Sequence, residues 1–229
     1  MAGSANKANK ANKKPAQAAH GARTHQVRII GGQWKRTPLT VLDAEGLRPT
    51  PDRVRETVFN WLNHFFDGAW ERVACLDLFA GSGALGFEAA SRGAARVVMV
   101  ESNAAAVRQL QAMQEKLKAE QVVVMRGDAV AAAQSLSSGA AEVARNGNRF
   151  NLIFLDPPYH QDWLAKMLPI CDGLLVEGGL LYAEAEQAFD NEALPEWLKK
   201  GPNEWEVVRA GKAGMVFYHL LQRKIGTSN

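Results

Sequence analysis

Leu76-Asp77-Leu78-Phe79-Ala80-Gly81-Ser82-Gly83-Ala84-Leu85-Gly86 is the stretch on which the fold of this 229-residue chain turns. An apolar run delivers a carboxylate, a glycine-rich turn and the start of a helix within eleven residues. Glycines let the backbone approach a ligand closely and adopt positive φ where a side chain would clash. Gly81, Gly83 and Gly86 satisfy G-x-G-x-x-G, so a dinucleotide site has to be considered. Two residues argue against it. Asp77, four positions before Gly81, would repel a pyrophosphate but could receive the ammonium of an amino-acid cofactor. Phe79 adds bulk inside the turn itself.

Outward from this turn the chain alternates short branched apolar runs with helical stretches. Runs at 73–79, 97–101, 122–125 and 152–155 are separated by helices expected near 84–92, 103–118 and 129–137. Strands alternating with helices imply parallel βαβ units. A short helix over 161–171, a strand over 180–184 and a closing hairpin of 205–209 with 215–221 are expected to follow, the hairpin turning through 210–214. Glu101 ends the second run about 20 residues past Gly81, where an acid hydrogen-bonds ribose hydroxyls in nucleotide folds. That position suits an adenosine-containing ligand without choosing between NAD and S-adenosylmethionine. Asp128 follows the third run and either bonds an adenine amino group or caps the next helix.

Asp156-Pro157-Pro158-Tyr159 ends the fourth run. Two prolines closing a central strand remove backbone donors and fix φ, which holds a side chain and a carbonyl at set angles. The exocyclic amine of a nucleobase is a poor nucleophile because its lone pair is delocalised into the ring. Acceptors from Asp156 and the Pro157 carbonyl on its two N–H groups would push that lone pair toward a methyl donor. Tyr159 would stack on the base and hold it in plane. A dinucleotide-dependent oxidoreductase has no use for this motif, and a non-catalytic RNA-binding module does not explain four ordered motifs.

The N-terminal part reads differently. Residues 1–24, with Ala-Asn-Lys three times between Ala5 and Lys13, have almost nothing to bury and are expected to form a disordered basic tail. Residues 25–50 are expected to form a hairpin extension, with strands over 25–30 and 38–42 joined through Gly31-Gly32. Thr50-Pro51 reads as a hydroxyl N-cap followed by proline at the first helical position. Val54, Val58, Trp61, Leu62, Phe65 and Phe66 form the apolar stripe of that helix, with Arg53, Arg55, Glu56 and Asn60 on its other surface. Residues 1–42 hold eight basic side chains and no acid, so the net charge of +3 conceals a basic arm on an acidic body. A polyanionic partner gripped by Arg28, Lys35, Arg36, Arg48, Arg53 and Arg55 is the reading this asymmetry invites.

Hydrophobic residues at 47% and charged residues at 22% describe a globular chain. Cys75 and Cys171 lie far apart in apolar surroundings, which points to reduced buried thiols and a cytoplasmic setting. Neither has the context of a nucleophile. Two cysteines and five scattered histidines offer no metal cluster, and no apolar run is long enough to span a membrane.

Asp77-x-Phe79-x-Gly81-x-Gly83 resembles the first motif of class I S-adenosylmethionine-dependent methyltransferases. Arg28-Ile-Ile-Gly-Gly-Gln-Trp34, Leu47-Arg-Pro-Thr-Pro-Asp-Arg-Val-Arg-Glu-Thr-Val-Phe-Asn-Trp-Leu62 and Asp156-Pro-Pro-Tyr159 together resemble the RsmD family of 16S rRNA guanine-N2 methyltransferases. The resemblance covers about residues 27–221 and leaves out the Ala-Asn-Lys tail. It implies an α/β Rossmann-like class I methyltransferase domain over 51–229. The expected sheet has seven mixed strands in the order 3-2-1-4-5-7-6, strand 7 antiparallel, with helices on both faces and the small hairpin beside it. It implies S-adenosylmethionine bound by Asp77, Phe79, Gly81, Gly83, Glu101 and Asp128. It also implies N2-methylation of one guanine of 16S rRNA within the assembled small ribosomal subunit by a monomer. An adenine-N6 DNA methyltransferase can share Asp-Pro-Pro-Tyr, but no stretch here is long enough for a separate target-recognition domain.

Overall fold

The computed structural model describes Met1 and residues 27–41, 50–139, 149–158, 163–192, 198 and 205–224. Beyond Met1, the expected tail therefore lies outside the described residues, as do Arg48 and Tyr159. Strands β1 (Val27–Arg28) and β2 (Pro38–Leu39) form the N-terminal hairpin, and helix α1 runs over Asp52–Phe65. A 3-10 turn at Trp70–Arg72 leads into β3 (Ala74–Asp77), α2 (Ala84–Ser91), β4 (Arg96–Glu101), α3 (Ala104–Leu117), β5 (Val122–Arg126) and α4 (Ala129–Ser137). Then come β6 (Phe150–Leu155), α5 (Trp163–Leu174), β7 (Leu175–Ala185), β8 (Trp205–Ala213) and β9 (Val216–Arg223).

The main sheet has the order β5-β4-β3-β6-β7-β9-β8, which is the expected 3-2-1-4-5-7-6. The first five strands in that order pair in parallel, and β9 runs antiparallel between β7 and β8. A fully parallel sheet would have favoured the dinucleotide reading, and β9 removes it. Alternation sorts the side chains of each central strand onto two faces. From β6, Leu152 and Phe154 join a core with the hairpin, α1 and α2, while Phe150, Ile153 and Leu155 pack with α4 and α5.

Several boundaries differ from expectation. The hairpin ladder is two residues per strand, because Gly31–Trp34 is held by α2, and the Arg36 amide then returns to the Ile29 carbonyl. Glu88 accepts the amides of Ile30 (2.6 Å) and Gly31 (2.9 Å), and Ser91 Oγ donates to the Gly31 carbonyl (2.6 Å). Gly32 has φ +72°, and a Cβ there would run into the Ser91 carbonyl, so only glycine lets this turn sit on the helix end. β7 to β9 are longer than expected and leave only Gly214 and Met215 as the turn between the last two.

Two residues of the α1 region need correction. Thr50 is not the N-cap. Pro51 takes that place without a side-chain cap, and the buried Thr50 hydroxyl points to acids across the sheet. Arg55 does not lie on the outer surface: it is 0% exposed, its Nη2 donates to Asp52 Oδ1 at 2.7 Å, and burial lowers its pKa. Spacing of the apolar stripe alone did not separate it from Arg53, which is exposed. A side chain with no exposed surface has none to offer a phosphate, so Arg55 leaves the RNA-contacting set.

Candidate active site

The glycine turn is fixed from three sides. Leu78 N–H donates to the Phe154 carbonyl (3.2 Å), Ala80 N–H to Val100 (3.0 Å), and Gly81 N–H to Glu101 Oε2 (2.9 Å). Gly83 begins α2 with φ +77°, and a Cβ on it would meet Phe87 and Leu110 at 2.6–2.7 Å. Gly86 lets α2 pack on β4, since a Cβ there would press on the Met99 side chain. Asp77 is buried, and its Oδ2 accepts the Gly86 amide at 3.1 Å. Burial pushes this carboxyl up to about 7 against the pull of its backbone donors. Phe79 stands edge-on to Trp163, with ring centroids 5.2 Å apart.

Glu101 spans both sides of its strand end, with Oε1 accepting the Asn103 amide at 2.7 Å. The Gly127 amide donates to the Glu101 carbonyl (3.1 Å), which brings the β5–α4 turn alongside. Asp128 caps α4: its Oδ1 accepts from Val130 (2.9 Å) and Ala131 (3.0 Å). Of the two roles open to Asp128, the cap is the one these contacts show, and Oδ2 carries no hydrogen bond among the described residues.

This edge fits an adenosine-bearing amino acid. A Cβ on Gly81 or Gly127 would meet nothing within 4 Å, so both turns border open space. Asp77 Oδ1 is buried with no hydrogen-bond partner among the described residues, which leaves an acceptor unfilled beside the glycine turn. Among the described residues no group of three or more His, Cys, Asp or Glu could hold a metal, and no helix is long and apolar enough to cross a membrane.

Asp156 follows β6, the strand between β3 and β7, so it stands at the centre of the same edge. Its surroundings were not foreseen. Thr50 Oγ1 lies 3.2 Å from Asp156 Oδ2 and 2.8 Å from Glu184 Oε1. The hydroxyl of Tyr182, fully buried, donates to the same Glu184 oxygen at 2.8 Å. Burial comes first in raising Asp156 well above the ordinary carboxylate range, with the Glu184 charge next and Asp77 a smaller contribution. Glu184 is itself raised by burial against hydrogen bonds from Thr50, Tyr182 and Asp156. Sequence reasoning missed Glu184, Tyr182 and the true role of Thr50. Glu184 nevertheless closes a buried strand with an acid, the same signal that singled out Glu101.

The expected RNA-contacting residues fall into separate places. Arg28 is exposed and pairs with Asp52 (3.1 Å), while Lys35 and Arg36 are exposed on the turn docked at the C-terminal end of α2. The glycine turn is at the other end of that helix.

Residues 27–222 match the family model described as conserved hypothetical protein 95. The chain is 38% identical over 213 residues to ribosomal RNA small subunit methyltransferase D of Escherichia coli, covering 92% of this chain and 95% of that one. It is 37% identical to the Haemophilus influenzae protein of the same name, covering 86% and 94%. Among solved structures, the yhhF protein of Escherichia coli matches at 36% identity with a TM-score of 0.69, covering 87% of this chain and 98% of that one. SMU.776, solved in complex with SAH, matches at 14% identity with a TM-score of 0.56, covering 71% and 48%, a likeness of fold alone.

Proposed function

The chain belongs to the conserved hypothetical protein 95 family, which is the RsmD family, and from that premise we propose that it methylates N2 of one guanine in small-subunit ribosomal RNA. S-adenosylmethionine is the cofactor, and it brings a methyl group already activated on a sulfonium. The protein then has two tasks: to hold the cofactor and to make the amine of the base a better nucleophile. Gly81, Gly83 and Asp77 would receive the amino-acid end, Phe79 would wall that turn, Glu101 would bond the ribose and Asp128 the adenine. Asp156 and the Pro157 carbonyl would accept the two N–H bonds of the guanine amine, and Tyr159 would stack on the ring.

One observation carries this reading. Leu78 and Phe154 are hydrogen-bonded across β3 and β6, so the glycine turn and Asp156 stand side by side at one edge. Transfer is direct, with no covalent enzyme intermediate: Cys75 and Cys171 are both buried, and burial raises both thiols. The finer setting we propose is the assembled small subunit in the cytoplasm, met by a monomer. Arg28, Lys35, Arg36, Arg48 and Arg53 would grip phosphates, with residues 1–24 a disordered tail outside the 51–229 domain.

Labelled methyl transfer from S-adenosylmethionine to hypomethylated small subunits, naked ribosomal RNA, duplex DNA and protein tests this directly. Incorporation into subunits is the expected result, and incorporation into DNA alone would restore the adenine-N6 reading.

A further inference from the structure

The half-buried Asp156 after β6 and the buried Glu184 of β7 are more than the proposed activity has used. Lone-pair activation needs one acceptor from Asp156, yet a second carboxyl, Glu184, stands on the neighbouring strand and meets the same threonine hydroxyl. A hydroxyl has one proton, so it can donate to only one of two acids at a time. The 2.8 Å contact makes Glu184 the acceptor, and Glu184 Oε1 is already the acceptor for Tyr182. The 3.2 Å contact to Asp156 Oδ2 is then satisfied when Asp156 is the donor, protonated on that oxygen. Two acids bridged in this way, one buried and one half-buried, hold one proton between them, because a second negative charge so close is disfavoured.

We propose that Glu184 is a positioning residue that, through Thr50, completes a proton relay with Asp156 for amine methylation, a role that rests on the amine-methyltransferase reading above. As the N–C bond forms, the methyl leaves the sulfonium, whose sulfur keeps the electron pair of the broken S–C bond, and the amine carries one proton too many. The N–H bond breaks, its electron pair returns to nitrogen, and the proton bonds Asp156 Oδ1. The proton on Asp156 Oδ2 passes to Thr50 Oγ1, whose own proton passes to Glu184 Oε1. The pair ends with both acids protonated, and one proton is lost to water after the product leaves. A protonated Asp156 also explains how a carboxyl can accept one amine hydrogen without setting an isolated charge against an electron-rich base. The groups facing the pair are Asp77 from β3, Tyr182 from β7, Tyr218 from β9 and the Thr50 hydroxyl.

Glu184→Gln tests the relay, since the amide keeps an acceptor for Thr50 and Tyr182 but cannot take a proton at neutral pH. The relay runs while the pair holds a single proton, on Asp156, so the wild-type acid limb of the single-turnover rate marks Glu184 taking the second proton. With glutamine there the terminal acceptor no longer titrates. Expected for Glu184→Gln are a rate at least about tenfold slower on small subunits, loss of the acid limb that belongs to Glu184, and S-adenosylmethionine affinity within about twofold by calorimetry. Glu184→Asp keeps the charge and should hold the limb nearer to wild type. In the cofactor-free protein, the infrared band of a protonated carboxyl at neutral pH should shift in Glu184→Gln, because Asp156 loses the carboxylate with which it shares its proton. A wild-type rate and limb in Glu184→Gln would overturn the relay. So would a loss shared equally by Glu184→Asp together with weakened cofactor binding. Wild-type protein that transfers no methyl to any RNA would instead sink the methyltransferase reading itself.

Discussion

Along the carboxyl edge of the sheet, Glu101 and Asp128 give their oxygens to backbone amides, whereas Asp156 and Glu184 face each other across the Thr50 hydroxyl. The first arrangement fixes its two carboxylates by donors that cannot move or change charge. The second brings two titratable groups to one hydroxyl, where burial raises both carboxyls, which costs stability unless chemistry uses it. One half of the edge is therefore built to hold and the other to react. Asp77 stands between them, bonded to Gly86 as a holder but raised by burial as a reactor would be.

The division can be broken by single substitutions. Asp156→Ala has the largest expected effect: transfer should fall by about 10²–10⁴-fold, while calorimetry finds cofactor affinity within a few fold. Equal loss of both would make the two halves one unit. Gly83→Ala strikes the holding half through the backbone. The left-handed conformation costs about 1–2 kcal/mol with a side chain, and displacing Phe87 and Leu110 adds about 1–3 kcal/mol. Denaturant unfolding should show that loss, with weaker cofactor binding alongside.

Glu101→Ala should weaken S-adenosylmethionine about ten- to a hundredfold, at roughly 1.5–3 kcal/mol for charged hydrogen bonds. It would remove the proposed ribose contact and also frees the Gly81 amide, so wild-type affinity in titration would take Glu101 out of the site. The smallest effect concerns neither half. Neutralising Lys35 and Arg36 should leave cofactor affinity unchanged and make the slope of log K against log salt shallower by about 0.7–0.9 for each phosphate no longer neutralised. An unchanged slope would place the RNA surface elsewhere.

The holding half was legible in the sequence because its contacts are short in range. Gly81 and Glu101 are 20 residues apart, and Asp128 bonds amides two and three residues on. The strands and helices were legible in the alternation, since each βαβ unit signals itself, and their order in the sheet came with the family resemblance. The reacting half was legible only at Asp156. Thr50 lies 106 residues before Asp156 and 134 before Glu184, and no local pattern pairs them. Thr50-Pro51 has the chemistry of a cap, and only the packing of α1 on the sheet shows the hydroxyl turned to the acids instead. Arg55 misled for a related reason: Asp52, three residues before it, lets a guanidinium sit in the apolar side of α1.

The identity of the methylated nucleoside tests the account most directly. Hypomethylated small subunits would be incubated with the protein and deuterated-methyl S-adenosylmethionine, digested to nucleosides and separated by mass spectrometry. N2-methylguanosine carrying the label, lost with Asp156→Ala, is the expected result. Label in N6-methyladenosine or in ribosomal protein, with none in guanosine, would contradict it.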